Sequence, residues 1–346
     1  MNIAFVFPGQ GSQSVGMMQS FAQLPCVRDT FSEASDAIGQ DMWKLVEEGP
    51  ADELNLTLNT QPAMLTAGIA LHRAWNAENG IRPVIYAGHS LGEYTALVAG
   101  GAIGFADAVT LVRFRAQAMQ GAVPEGVGAI AAILGLEDDL VRAACKEAAD
   151  PNEVVEAANY NSPAQVVIAG NKAAVERAMA IAKSKGAKRA VMLPMSVPSH
   201  CSLMRPAAER LRERLVAVKI GVCVVPVLHN ADVKSADSAD AVRDALVRQL
   251  CQPVRWVDTV RAIALTGATH IVECGPGKVL AGLNKRIAPE PQAFSFSGGA
   301  TRHLYDPALS GKGLGLSQTI SQFFSRINLQ PGDRLVADAN TGWVQH

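Results

Sequence analysis

Short apolar runs alternate along this chain with longer segments whose apolar residues recur every three or four positions. Ile3-Ala4-Phe5-Val6-Phe7 reads as a buried strand, cut off by Pro8-Gly9-Gln10-Gly11-Ser12-Gln13. Helical patterns follow at about 28–38, 61–77, 93–99 and 105–121, with a second buried strand at about 83–87 between the second and third. Strand and helix in alternation predict a mainly parallel sheet covered on both faces. In such sheets function gathers beyond the carboxyl ends of the strands, where the Pro8 loop and the segment after Ala87 both fall.

Near residue 127 the pattern changes. Strands are predicted at about 127–134, 154–159, 165–169 and 189–193, and helices at about 137–149 and 173–185. The order β-α-β-β-α-β is the ferredoxin-like arrangement, which closes into a small four-stranded sheet of its own. Residues 127–194 are therefore expected to form a subdomain inserted into a larger unit, made of 1–126 and 195–288. The second part of that unit should contain helices at about 202–218 and 240–250 and strands at about 222–228 and 270–274.

Composition narrows the function. A chain of 346 residues can bury a substantial core. Its net charge of −1 and 18% charged residues offer no global attraction for nucleic acid or an anionic membrane, and neither is expected as a partner. Six scattered cysteines without a Cys-x-x-Cys pair fit free thiols in a reducing compartment. The first residues lack a basic segment, and no uncharged apolar run approaches the ~18 residues of a spanning helix. A soluble, cytoplasmic protein is expected.

Gly88-His89-Ser90-Leu91-Gly92 carries the chemistry. A serine between two glycines, after a buried strand and before a helix, is presented on a tight turn with the new helix's first N–H groups beside it. Ser90 is thus the candidate nucleophile, and it needs a base. Of seven histidines, His72 lies in a long helix, His229 and His270 border strands, and His346 ends the chain. His89 should pack away from Ser90, since neighbours on a strand point to opposite faces. His200, in Val197-Pro198-Ser199-His200, falls where the chain re-enters the large unit and is the preferred base. A hydrolytic triad would add a carboxylate between Ser and His, but Asp107, Asp138, Asp139 and Asp150 occupy caps or exposed helical positions.

Arg115 falls inside the apolar stripe formed by positions 108, 111, 112, 116 and 119, whereas Arg113 lies off it. A guanidinium on a buried face is costly unless it meets an anion, so the readings are an ion pair with an acidic side chain, a head group that snorkels to solvent, or a substrate carboxylate held bidentately. The Gln10-Gly11 loop could bring one backbone N–H near Ser90 as half of an oxyanion hole, with the N–H of Leu91 as the other half. Gly275-Pro276-Gly277-Lys278 fails the spacing of a phosphate loop and reads as a turn. The basic residues at 183–189 and 205–214 read as solvated helix faces, with a docking patch for an acidic partner as the lesser reading.

Phe7-Pro8-Gly9-Gln10-Gly11-Ser12-Gln13, Gly88-His89-Ser90-Leu91-Gly92-Glu93-Tyr94, Arg115, Asn159-Tyr160-Asn161-Ser162-Pro163, Val197-Pro198-Ser199-His200 and Glu273-Cys274-Gly275-Pro276-Gly277 occur together and in order. This set resembles the malonyl-CoA:acyl carrier protein transacylases of bacterial fatty-acid synthesis, over residues 1 to about 288. The resemblance implies an α/β-hydrolase-like large domain with a ferredoxin-like insert. It also implies a Ser90–His200 dyad whose imidazole is oriented by the backbone carbonyl of Gln249, an oxyanion hole from the amides of Gln10 and Leu91, Arg115 as malonate clamp and Asn161 lining the pocket. Malonyl-CoA and acyl carrier protein are the implied partners, with no metal or redox cofactor and a monomeric enzyme. A serine hydrolase or thioesterase, an acyltransferase of a polyketide or malonate-utilising pathway, and a non-catalytic carrier-binding module are the alternatives.

Residues 289–346 depart from that pattern. The stretch 295–315 reads as a Gly/Ser-rich loop, and 329–343 resembles a strand of an enolase-superfamily barrel, in which the residue matching Asp338 would bind magnesium. The remaining carboxylates of such a site are missing from this chain, so no metal site is expected there.

Overall fold

A computed structural model describes residues 2–77, 80–194 and 197–297, together with the backbone of 335–338 and 342–345. In chain order the strands are β1 (Ile3–Phe7), β2 (Ile85–Gly88), β3 (Gly128–Leu134), β4 (Val155–Ser162), β5 (Gln165–Asn171), β6 (Arg189–Met192), β7 (Val227–Leu228), β8 (His270–Cys274) and β9 (Gln292–Phe296). β10 (Leu335–Asp338) and β11 (Gly342–Gln345) pair antiparallel with each other. The other calls on the extension, from 298 to 334, lie outside the described residues.

The large sheet runs β7-β2-β1-β8-β9, parallel throughout. Its central strands are buried on both faces, as all of Ile3–Phe7 and His270–Cys274 are, and this is why they read as unbroken apolar runs. One face packs on the long Thr57–Ala77 helix, where Phe5 meets Trp75 edge-on at 5.0 Å between ring centroids. The other face packs on the Trp256–Leu265 and Val279–Ile287 helices, with Trp256 and Ile271 fully buried between them. Short helices at Met42–Glu48, Ala51–Asn55, Trp256–Leu265 and Val279–Ile287 lack the long periodic stretch that predicts a helix and were not expected.

Two expectations need correction. The strand expected at about 222–228 is only the pair Val227–Leu228. The sheet also extends past 288, because Gln292–Phe296 pairs parallel with β8, register His270 to Gln292 through Cys274 to Phe296. Phe296 is 2% exposed and packs edge-on to Phe21 and Trp75, so the boundary at 288 and the loop expected from Ser295 both fall too early.

The small sheet is antiparallel in the order β4-β5-β3-β6, with the Asp138–Ala148 and Lys172–Ser184 helices on one face. That is the ferredoxin-like order. Its edge strand meets the large unit through Val254, whose N–H donates to Ala158 O at 2.9 Å and whose carbonyl accepts from Tyr160 N–H at 2.9 Å. Among the described residues no helix is long and apolar enough to cross a membrane.

Candidate active site

β2 delivers Ser90 at the carboxyl edge of the large sheet, and the Gly92–Ala99 helix leaves directly after it. The turn is tight enough that a Cβ at Gly92 would stand 2.0 Å from Phe7 O, so only glycine fits. Ser90 itself takes φ 51°, the left-handed region that a side chain disfavours. The Pro8 loop backs onto this turn: a Cβ at Gly9 would lie 2.6 Å from His89 O and 3.8 Å from Leu91 N. Within the described residues no hydrogen bond takes up the N–H of Gln10 or of Leu91, which leaves both free to meet a developing oxyanion.

His200 also has a positive φ, 63°, and its N–H is held by Leu250 O at 3.0 Å. Its ring bridges two partners. Nε2 lies 2.7 Å from Ser90 Oγ, and Nδ1 lies 2.8 Å from Gln249 O. A carbonyl oxygen only accepts, so Nδ1 carries the proton and Nε2 is left as the acceptor for the serine hydroxyl. Burial, reinforced by the charge of Arg115, pushes the His200 pKa down to about 3, which keeps the imidazole neutral with Nε2 unprotonated. Asp107, Asp138, Asp139 and Asp150 do not contact it: Asp107, Asp138 and Asp139 sit in the first turns of helices, and Asp150 caps a turn.

Arg115 lies in the Phe105–Gln120 helix, 1% exposed, with Ala108, Leu111, Val112, Ala116 and Met119 buried on the same face. Nη1 donates to Gln61 Oε1 at 2.9 Å, and Nη2 to Gln249 Oε1 at 3.0 Å and to Ser90 Oγ at 3.3 Å. All three are neutral oxygens. Nε–H makes no hydrogen bond, with the centroid of the Tyr94 ring 5.3 Å from the guanidinium carbon, so the edge formed by Nε and Nη2 lacks a directly bound anion. Burial pushes the Arg115 pKa down, opposed by Tyr94 and Glu93, yet a guanidinium keeps its proton.

Sequence reasoning missed most of the frame around these groups, with Gln249 named only through the family resemblance. Glu93, His229, Asn230 and Gln249 are all buried, and Glu93 Oε1 lies 2.8 Å from His229 Nδ1. That contact raises the His229 pKa against the effect of burial. Gln61, on the long helix, completes the cradle of Arg115. The signal that found Arg115, a charge on an apolar helix face, also marks Glu93 between Leu91 and Leu97.

His89 turns away from Ser90, as expected, and its Nε2 meets Asn161 Oδ1 at 2.8 Å across the two sheets. His72 bonds Tyr86, and burial lowers its pKa to about 4; His270 bonds Thr269. His346 lies outside the described residues. Arg210 and Arg214 stack on Phe114. Among the described residues no group of three or more His, Cys, Asp or Glu side chains is arranged to hold a metal.

A strand-turn-helix serine with a neutral histidine behind it, on a parallel sheet, is the site of a serine acyl-transfer enzyme. Residues 4–287 match the model of the acyl transferase domain family. The chain belongs to that family, among the malonyl CoA-acyl carrier protein transacylases. It is 57% identical over 285 residues to the malonyl CoA-acyl carrier protein transacylase of Escherichia coli (strain K12), covering 82% of this chain and 92% of that one. The crystal structure of the acyl-carrier-protein S-malonyltransferase from Burkholderia pseudomallei 1710b superimposes with TM-score 0.83 at 61% identity, covering 85% of this chain and 96% of that one. A malonyl-transacylase solved in complex with a type II PKS acyl-carrier protein gives TM-score 0.82 at 51% identity, covering 85% and 94%.

Proposed function

We propose that the protein moves a malonyl group from malonyl-CoA to the phosphopantetheine thiol of an acyl carrier protein, through a malonyl ester on Ser90, and so supplies fatty-acid synthesis. The observation that carries this reading is the meeting of two groups on one hydroxyl: His200 Nε2 at 2.7 Å and Arg115 Nη2 at 3.3 Å from Ser90 Oγ. His200 takes the serine proton as Oγ attacks the thioester carbonyl, and the amides of Gln10 and Leu91 receive the oxyanion. Collapse expels the CoA thiolate, which His200 protonates. The ester is then held by its carboxylate on the Nε–Nη2 edge of Arg115, with Asn161 lining the pocket. The carrier's thiol gives its proton to His200, attacks the ester and leaves with the malonyl group, restoring Ser90.

Every bond change is served by this chain's own groups, so the reaction is read as independent of cofactor and metal, run by a monomer in the cytoplasm. The catalytic unit is read as 1–126 with 195 to about 297, and the insert as 127–194. Intact mass after incubation with labelled malonyl-CoA, and again after adding holo carrier protein, tests the scheme. The expected result is one malonyl adduct on the wild type, absent from Ser90→Ala and transferred to the carrier. An adduct lost to water at the same rate with or without carrier would make the protein a hydrolase instead.

A further inference from the structure

Glu93 stands three residues after the nucleophile, in the first turn of the Gly92–Ala99 helix, with no exposed surface. Three donors converge on its carboxylate: His229 Nδ1 at 2.8 Å, Asn230 N–H at 2.9 Å and Gln249 Nε2 at 2.8 Å. Two of these partners reach on to Ser90. The Asn230 side-chain oxygen accepts the Ser90 N–H at 2.8 Å, and its amide donates to Gly88 O at 2.6 Å. Gln249 Nε2 donates to Ser90 O at 2.9 Å, where the Glu93 N–H also donates at 3.1 Å. Both polar groups of the Ser90 backbone are therefore clamped by side chains, and one carboxylate holds the side chain of Gln249 and the backbone N–H of Asn230.

The clamp has a physical reason. Ser90 sits at φ 51°, a conformation that a residue with a Cβ keeps only where its surroundings over-determine it. The helix provides one such bond, and the side chains of Asn230 and Gln249 provide the others. Gln249 also carries the carbonyl that meets His200 Nδ1 and the oxygen that meets Arg115. Three partners of the reaction thus depend on where this one glutamine stands.

We propose that Glu93 is the positioning residue of the site: through Asn230 and Gln249 its carboxylate holds the Ser90 peptide in the left-handed turn and sets the groups that orient His200 and Arg115. This rests on the reading of Ser90 and His200 as the acyl-transfer pair. It adds that the acidic residue of this site lies beneath the nucleophile and never touches the histidine.

The test uses a neutral organophosphorus fluoridate, which phosphorylates an activated serine without engaging a carboxylate clamp, and reads labelling of Ser90 by mass. Glu93→Met fills the volume without an oxygen, and labelling should slow by about 30-fold, the scale on which misplaced reacting groups lose rate. Glu93→Gln keeps an oxygen for Asn230 and Gln249 and lets neutral His229 accept its N–H, so labelling should return to within about threefold of wild type. Equal labelling of the Met and Gln variants would overturn the proposal, because volume alone would then suffice. If the Met variant fails to fold, Asn230→Ala carries the test with the carboxylate left in place, and normal labelling there overturns the proposal equally. Ser90→Ala separates the two layers: label retained on that variant would overturn the acyl-transfer reading itself.

Discussion

Glu156 of the small sheet accepts two hydrogen bonds from Ser202, from its N–H at 2.9 Å and its hydroxyl at 2.7 Å, two residues after His200. The insert thereby grips the loop that holds His200 at its positive φ. Glu156→Ala removes two charge-assisted bonds at a half-buried position, so stability should fall by about 1–2 kcal/mol. Acylation by malonyl-CoA should slow by about tenfold with little change in KM, since the base and not the clamp is loosened. Stopped-flow acylation and urea denaturation measure the two. An unchanged acylation rate would separate the insert from the placement of His200.

The pH dependence of His200 has a definite sign. Burial and Arg115 lower its pKa to about 3 in the folded protein, against 6.5 as the ordinary value. The folded chain therefore binds fewer protons than the unfolded chain between those values, and this histidine's contribution to stability is full above 6.5 and lost as pH falls towards 3. For the reaction, the basic form is already present at pH 6. Acylation by malonyl-CoA should hold level from pH 8 to about 5.5. An acidic limb with its midpoint near 6.5 would show an exposed, ordinary imidazole.

Much of this site is legible in the sequence because its residues violate local rules. Arg115 breaks an apolar helix face, and Ser90 stands between glycines that a strand-to-helix turn requires. Gln249 is different. It sits in an unremarkable amphipathic helix, and the group that meets His200 is its backbone carbonyl, which every residue possesses. Spacing cannot flag such a residue; only the resemblance to a family did. Asn230 and His229 follow a strand of two residues, too short to announce a sheet, so their place at its carboxyl edge was hidden. Strand β9 was obscured in the same way, by a Gly/Ser-rich continuation that draws Ser295 into a loop.

On the proposed reading, Arg115 selects the acyl group. Its Nε–H makes no hydrogen bond and its contacts are neutral oxygens, so no anion is bound directly to this buried guanidinium, and on the proposed reading the malonyl carboxylate takes that place. In Arg115→Ala that carboxylate would be buried alone. Malonyl-CoA kcat/KM should fall by about two orders of magnitude, and preference should shift towards acetyl-CoA, which carries no charge to satisfy. Measured on both substrates, an unchanged ratio would place carboxylate recognition elsewhere.

β9 separates two ways of shortening the chain. A protein ending at Ser297 keeps Gln292–Phe296 on the sheet, whereas one ending at Ala288 uncovers β8 and removes Phe296 from between Phe21 and Trp75. Losing a buried phenylalanine costs about 3–5 kcal/mol where the cavity stays open. The shorter form should melt well below the longer one by calorimetry. Equal melting temperatures would make β9 an ornament of the sheet.

Glu273, the fourth residue of β8, has no exposed surface, and its Oε2 accepts the Ala281 N–H at 2.8 Å at the start of the Val279–Ile287 helix. Its other oxygen, Oε1, has no hydrogen-bond partner. Burial pushes the pKa up to about 7, although the N–H groups of Ala281, Leu280 and Val279 pull it down. The folded chain thus binds more protons than the unfolded chain between 4.5 and about 7. Stability from this group is complete below 4.5 and is lost as pH rises through 7, by about 2–4 kcal/mol in all. Glu273→Gln removes the ionisation and keeps an acceptor for Ala281. Relative to wild type, the variant should gain stability between pH 5 and pH 8 by an amount on that scale, read from urea denaturation at both values. If the difference between the two proteins is the same at pH 5 and pH 8, the carboxyl titrates as it would in water and the helix cap does not depend on its proton.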